Sequence, residues 1–160
     1  MQIAVIGAGN ATDEERAAAY SIGAILGKNR ATLICGGMGG VMEAACRGVS
    51  DHGGQTVGIV PDTGDGNQFL SVVIRTGLGH ARHILVVQSA DAVIAVGGSH
   101  GTLSEIAVAL KTGRPVYGYR TWDIAGVEGC STAEKAALRA VSAASRSQSY
   151  RTRPAGKGSL

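Results

Sequence analysis

The sequence predicts a single Rossmann-like α/β domain, doubly wound around a mainly parallel sheet, and three observations carry that expectation. Short β-branched runs alternate with amphipathic stretches along most of the chain. Runs such as 92–96 are apolar throughout, as expected of strands covered on both faces, and the alternation favours parallel strands joined by right-handed crossovers. Three strand-to-helix junctions are rich in glycine, at the carboxyl edge where open α/β sheets take their ligands.

Residues 2–6 form the first expected strand, followed by the turn Gly7-Ala8-Gly9-Asn10. Thr12 and Glu15 have capping-box spacing and open a helix with Ala18, Ile22, Ile25 and Leu26 on one face. A second strand over 31–35 runs into Gly36-Gly37-Met38-Gly39-Gly40, and a helix follows through Val41, Met42, Ala45 and Cys46. The third strand is 56–60, stopped by Pro61, and an Asp- and Gly-rich loop leads to a fourth over 70–74. Residues 80–89 read as a helix, with strand ambiguity at Val86-Val87. Strand 92–96, the turn 97–101, a helix over 102–111 and a strand over 115–119 come next. Ser131 and Glu134 have capping-box spacing for a last helix ending near Ser145.

The chain has 160 residues, enough for one sizeable core. Its 25 glycines are roughly twice the usual share and lack a three-residue period, which excludes collagen. Aromatic residues make up only 4%, too few for a platform that stacks single-stranded nucleic acid. The formal charge of +3 is concentrated at one end: residues 145–160 hold Arg146, Arg151, Arg153 and Lys157 and no acid. Without those four, eleven basic residues face twelve acids, so no nucleic-acid partner is expected. The reading is a domain over 1–145 and a basic, disordered tail over 146–160. No apolar run is long enough to span a membrane and no basic lead-in marks a secretory signal, so a cytoplasmic protein is expected. Cys35, Cys46 and Cys130 lack metal-ligand pairing and read as reduced, buried thiols. His80 and His83 stand at helical spacing without further ligands nearby, so no metal is expected.

A helix N-terminus offers unpaired N–H groups and a partial positive charge, and glycine lets the backbone approach an anion closely. Gly7, Gly9, Asn10, Gly36, Gly37, Gly39, Gly40, Gly98, Ser99, His100, Gly101 and Thr102 are therefore candidate contacts to a phosphorylated ligand. Asn10 is equally readable as a turn former. A conventional dinucleotide site is not expected. Thr12 stands where the third glycine of that fingerprint belongs, and no acid ends the second strand.

The strongest segment is Val96-Gly97-Gly98-Ser99-His100-Gly101-Thr102-Leu103-Ser104-Glu105. Thr102 and Glu105 have capping-box spacing, so Glu105 serves either as a helix cap or as a carboxylate facing a ligand. In the second role it can position water or a ligand hydroxyl and steady a developing positive charge.

The segment resembles the P-G-G-x-G-T-x-x-E motif of the Lonely-Guy phosphoribohydrolases, once labelled lysine decarboxylases. Gly98, Gly101, Thr102 and Glu105 match it, whereas Gly97 stands for its Pro and Ser99 for its second Gly. The family's catalytic Arg lies nine residues before the Asp that opens this strand, which is Arg82 counted from Asp91. Residues 35–44, with Glu43 among them, resemble its other glycine motif. The spellings G-G-V-M-E-A and G-T-L-S-E-I look more like a sister branch similar to molybdenum-cofactor carrier proteins.

Two functions follow from this resemblance. One is hydrolysis of a nucleoside 5′-monophosphate to free base and ribose 5-phosphate, with Glu105 and Arg82 catalytic and no cofactor required. The alternative is a non-catalytic carrier with the molybdenum cofactor, a phosphorylated pterin, as cargo. The resemblance also implies a homodimer or homotetramer.

Overall fold

The computed structural model describes residues 1–151. Seven strands form one parallel sheet: β1 (Gln2–Gly7), β2 (Thr32–Cys35), β3 (Thr56–Val60), β4 (Val72–Arg75), β5 (Ala92–Val96), β6 (Val116–Tyr119) and β7 (Val127–Gly129). Their order is β4-β3-β2-β1-β5-β6-β7. The chain winds outward from β1 through β4, then returns to lay β5 against the free side of β1. The switch point thus lies between β1 and β5, where Gly7 is in register with Val96. Ligands of doubly wound sheets bind at the carboxyl ends of such a strand pair.

Five helices cover the two faces: α1 (Asp13–Lys28), α2 (Val41–Ser50), α3 (His83–Gln88), α4 (His100–Lys111) and α5 (Ala133–Arg151). The two-residue alternation of a strand divides the core accordingly. Ile3, Val5, Leu33, Ile94 and Val96 point toward α1, α2 and α5. Ala4, Ile6, Ile34, Val93 and Ala95 point toward α3 and α4. Ile3, Ile94 and Ile106 are fully buried, each contributing about 1.5–3 kcal/mol. On the first face small residues bring helices together: a side chain at Gly23 would strike the Ala45 carbonyl, and one at Gly48 the Tyr20 carbonyl.

The expected architecture is present, with local differences. The helix expected over 80–89 divides into a 3-10 turn, Gly79–Arg82, and α3. β7 escapes the sequence reading because its three residues have no apolar alternation, and it is fixed by pairing with β6. The last helix is capped by Thr132, whose hydroxyl accepts the Lys135 N–H at 3.1 Å, rather than by Ser131. It continues to Arg151, past the expected end near Ser145. The remainder of the expected basic tail, 152–160, lies outside the described residues. Among the described residues no helix is long and apolar enough to cross a membrane.

Candidate functional site

The β5–α4 turn sets the geometry of the site. Gly97 and Gly98 adopt φ of 53° and 117°, a region closed to most side chains. A Cβ at 98 would lie 2.6 Å from Thr102 Oγ1. Ser99 is extended and occupies the N-cap, but no side chain caps this helix. The early turn at Gly98 starts α4 at His100, two residues before the expected Thr102. Thr102 is consequently in the third helical position, so Thr102 and Glu105 do not form a capping box. Three residues apart, they share the inward face of α4. Thr102 is 2% and Glu105 7% exposed. Among the described residues, Thr102 Oγ1 has no hydrogen-bond partner.

Arg82 ends the 3-10 turn and is also only 7% exposed. Its guanidinium lies across the carboxyl ends of β3 and β2. Nε donates to the Ile59 carbonyl at 3.0 Å, Nη1 to Gly79 at 3.0 Å and Nη2 to Gly36 at 3.5 Å. A guanidinium has five N–H donors, so this leaves two. Arg82 and Glu105, far apart in sequence, are electrostatic neighbours in the fold. Among the described residues no carboxylate lies within 4.0 Å of Arg82. Burial pushes the Glu105 carboxyl up to about 8, and the Arg82 charge only partly offsets that. Burial likewise lowers the Arg82 value, while Glu105 and Asp62 oppose the shift. At neutral pH the pair is therefore a buried cation beside a largely protonated acid.

The three glycine turns are not equivalent. α1 is self-capped: Glu15 N–H donates to Thr12 Oγ1 at 3.2 Å, and Thr12 N–H to Glu15 Oε2 at 2.8 Å. Its first turn also carries Asp13, Glu14 and Glu15, so this helix end is acidic. Gly7 serves packing, since a Cβ there would come 2.6 Å from Val41 and 2.7 Å from the Val96 carbonyl. Gly9 faces open space, and Asn10 is exposed. Gly40 presses on the Ala8 carbonyl, which accepts the Val41 N–H at 3.1 Å. Gly36 borders Arg82 and the Met42 sulfur, and Gly37 packs on Val60. A Cβ at Gly39 would lie 3.8 Å from Glu43 Oε2. Gly37, Gly39 and Glu43 line an open groove of about 450 Å³ with Asp62, Gly64 and Asn67. Asp91, the marker used to locate Arg82, lies at the other end of β5 and accepts the Gln2 N–H at 2.9 Å.

Ser99, His100 and Gly101 form the start of α4. The Ser99 carbonyl accepts the Trp122 indole N–H at 3.4 Å, and the Trp122 ring centroid lies 6.3 Å from that of His100. Thr121 Oγ1 donates to the Gly97 carbonyl at 2.6 Å. Sequence reasoning missed Trp122, Thr121 and Glu15 at this turn; a lone exposed Trp after a strand was the available signal. His83 Nδ1 is 3.1 Å from Ser104 Oγ, and the His80 and His83 rings meet edge-on. Among the described residues no group of three His, Cys, Asp or Glu is arranged to hold a metal.

The parallel sheet, its switch point and the glycine-lined carboxyl edge define a Rossmann-like α/β protein. More particularly, the chain belongs to the SLOG cluster4 family, whose model matches residues 1–151. An uncharacterized protein of Archaeoglobus fulgidus is 48% identical over 117 residues, covering 72% of this chain and 78% of the relative. Among solved structures, the molybdenum cofactor binding protein of Rippkaea orientalis matches with a TM-score of 0.80 and 32% identity, over 94% of this chain and 97% of that one. The molybdenum cofactor carrier protein of Chlamydomonas reinhardtii matches with a TM-score of 0.82 and 30% identity, over 91% and 98%. The resemblance to the carrier branch is thereby established.

Proposed function

We propose that this protein binds a phosphorylated pterin of the molybdenum-cofactor type and carries it without turnover. The observation that carries this reading is the buried Arg82 guanidinium, which has no carboxylate within 4.0 Å among the described residues, near a Glu105 carboxyl that burial pushes up to about 8. An unpaired cation removed from water is costly, and a phosphate supplies the missing charge. The uncapped start of α4 adds backbone N–H groups, and Thr102 adds a hydroxyl. Gly98, which has no side chain, packs directly over that hydroxyl. Protonated Glu105 would donate a hydrogen bond to the ligand. The two cofactor proteins similar to this chain support a pterin as the bound group.

The test is thermal stabilisation by molybdopterin and by AMP, followed by chromatography for released base. Stabilisation by molybdopterin with both ligands recovered intact supports the carrier. Free base from AMP, abolished in Glu105→Gln, would instead establish the phosphoribohydrolase. That second reading has its own support: a carboxyl pushed up to about 8 is suited to hold a catalytic proton near neutral pH.

The proposal extends to a homodimer or homotetramer. Val72 and Ile74 on the edge strand β4, and Ile84 on α3, are exposed apolar side chains that support self-association. Sedimentation velocity distinguishes these states from a monomer.

A further inference from the structure

The β5–α4 turn is gripped from two sides, and the grip on the α1 side leaves a carboxylate oxygen without a hydrogen bond. Glu15 uses Oε2 for its cap, accepting from Thr12 N and Oγ1. Among the described residues Oε1 accepts nothing. That oxygen occupies the volume a side chain at 97 would fill; a Cβ there would collide with it. On the other side, Thr121 and Trp122 bind the carbonyls of Gly97 and Ser99. The two sides are joined by the Arg120–Glu14 ion pair, with Arg120 held at a left-handed φ of 49°. A non-glycine residue in that conformation is uncommon and is kept only where its surroundings fix it. Thr102, with its unpartnered hydroxyl, lies directly beneath the next residue, Gly98. Gly97 and Gly98 thus separate the buried, unpartnered Thr102 hydroxyl from the half-buried Glu15 carboxylate.

We propose that Glu15 reads the heterocycle of the bound ligand, accepting N–H donors from a 2-amino-4-oxo pyrimidine ring, the edge that pterins share with guanine. This rests on the phosphate site proposed above. A carboxylate is acceptor-only, so it favours a ring edge that presents adjacent N–H donors and disfavours one that presents acceptors. The exposed ring of Trp122, the only tryptophan in the chain, supplies an apolar surface beside the same turn.

GMP and IMP, which differ only in the 2-amino group, test this by calorimetric titration of the full chain, with Trp122 fluorescence as a second readout. Wild type should bind GMP at least tenfold more tightly than IMP. In Glu15→Gln, which keeps the cap geometry, GMP affinity should fall more than IMP affinity, bringing the ratio below about threefold. Gly97→Ala, which displaces the carboxylate without removing it, should lower the ratio in the same way. Equal binding of GMP and IMP by wild type, or a ratio unchanged in Glu15→Gln, overturns the role of Glu15 and leaves the phosphate site intact. No binding of either nucleotide, with no stabilisation by inorganic phosphate, overturns both.

Discussion

Arg82 and Glu105 are both buried and interact electrostatically without forming a contact ion pair. Arg82 spends three N–H groups on the carbonyls of Ile59, Gly79 and Gly36 rather than on a carboxylate. Glu105, on the inward face of α4, is held protonated by its surroundings. A phosphate bound there, as proposed, would meet a buried cation with two free N–H donors.

The Glu105 carboxyl holds its proton to about 8, against an ordinary value of 4.5. The folded state therefore binds more protons than the unfolded chain between those values. Its full stability is present below pH ~4.5 and is lost as pH rises through 8. The loss amounts to at most ~4–5 kcal/mol, and Glu105→Gln should flatten it. Urea denaturation at pH 5, 6.5 and 8.5 measures both profiles, and parallel profiles would contradict the assignment.

Thr102→Val keeps the side-chain shape and removes the unpartnered hydroxyl. Without ligand, the variant should be as stable as wild type or about 1 kcal/mol more stable, because no hydrogen bond is lost. Its affinity for a phosphorylated pterin should fall about tenfold. Opposite signs for stability and affinity identify a hydroxyl placed for a ligand. A loss of stability would show a structural partner instead.

Arg82→Met strands the Ile59 and Gly79 carbonyls and should cost about 2–4 kcal/mol. Binding of phosphorylated ligand, measured well below the lowered Tm, should fall more than 100-fold. Binding of the dephosphorylated pterin should change by less than threefold. Equal losses for the two ligands would place Arg82 away from the phosphate.

Gly98→Ala forces a side chain into a backbone at φ 117° and against Thr102. It should destabilise the protein by about 2–3 kcal/mol, read as a drop in Tm. It should also weaken phosphate binding, because the added Cβ displaces the Thr102 side chain and its hydroxyl.

Much of this fold was legible in the sequence because its signals are local. Strands 56–60 and 92–96 match the expected ranges, their apolar runs being bounded by Pro61 and Gly97. The Thr12–Glu15 capping box is present, since its chemistry involves only neighbours on one turn. The start of α4 was misplaced because the same spacing at Thr102 and Glu105 serves a buried face, and the backbone conformation of Gly98 decides between the two. The proximity of Arg82 and Glu105 came from the family spacing and not from composition, because it depends on β3, α3 and α4 meeting across the sheet. The contacts of Glu15 and Trp122 with the β5–α4 turn were missed for a related reason: each reaches the turn from a separate element, and the local capping box at Glu15 says nothing of that contact.

The most direct test is a crystal structure of the protein with a phosphorylated pterin bound. The account predicts phosphate oxygens on the backbone N–H groups at the start of α4, hydrogen-bonded to Thr102 Oγ1 and Arg82, with the pterin intact. A phosphate held elsewhere on the molecule, with the Thr102 hydroxyl still unpaired and Arg82 bound only to carbonyls, would contradict it.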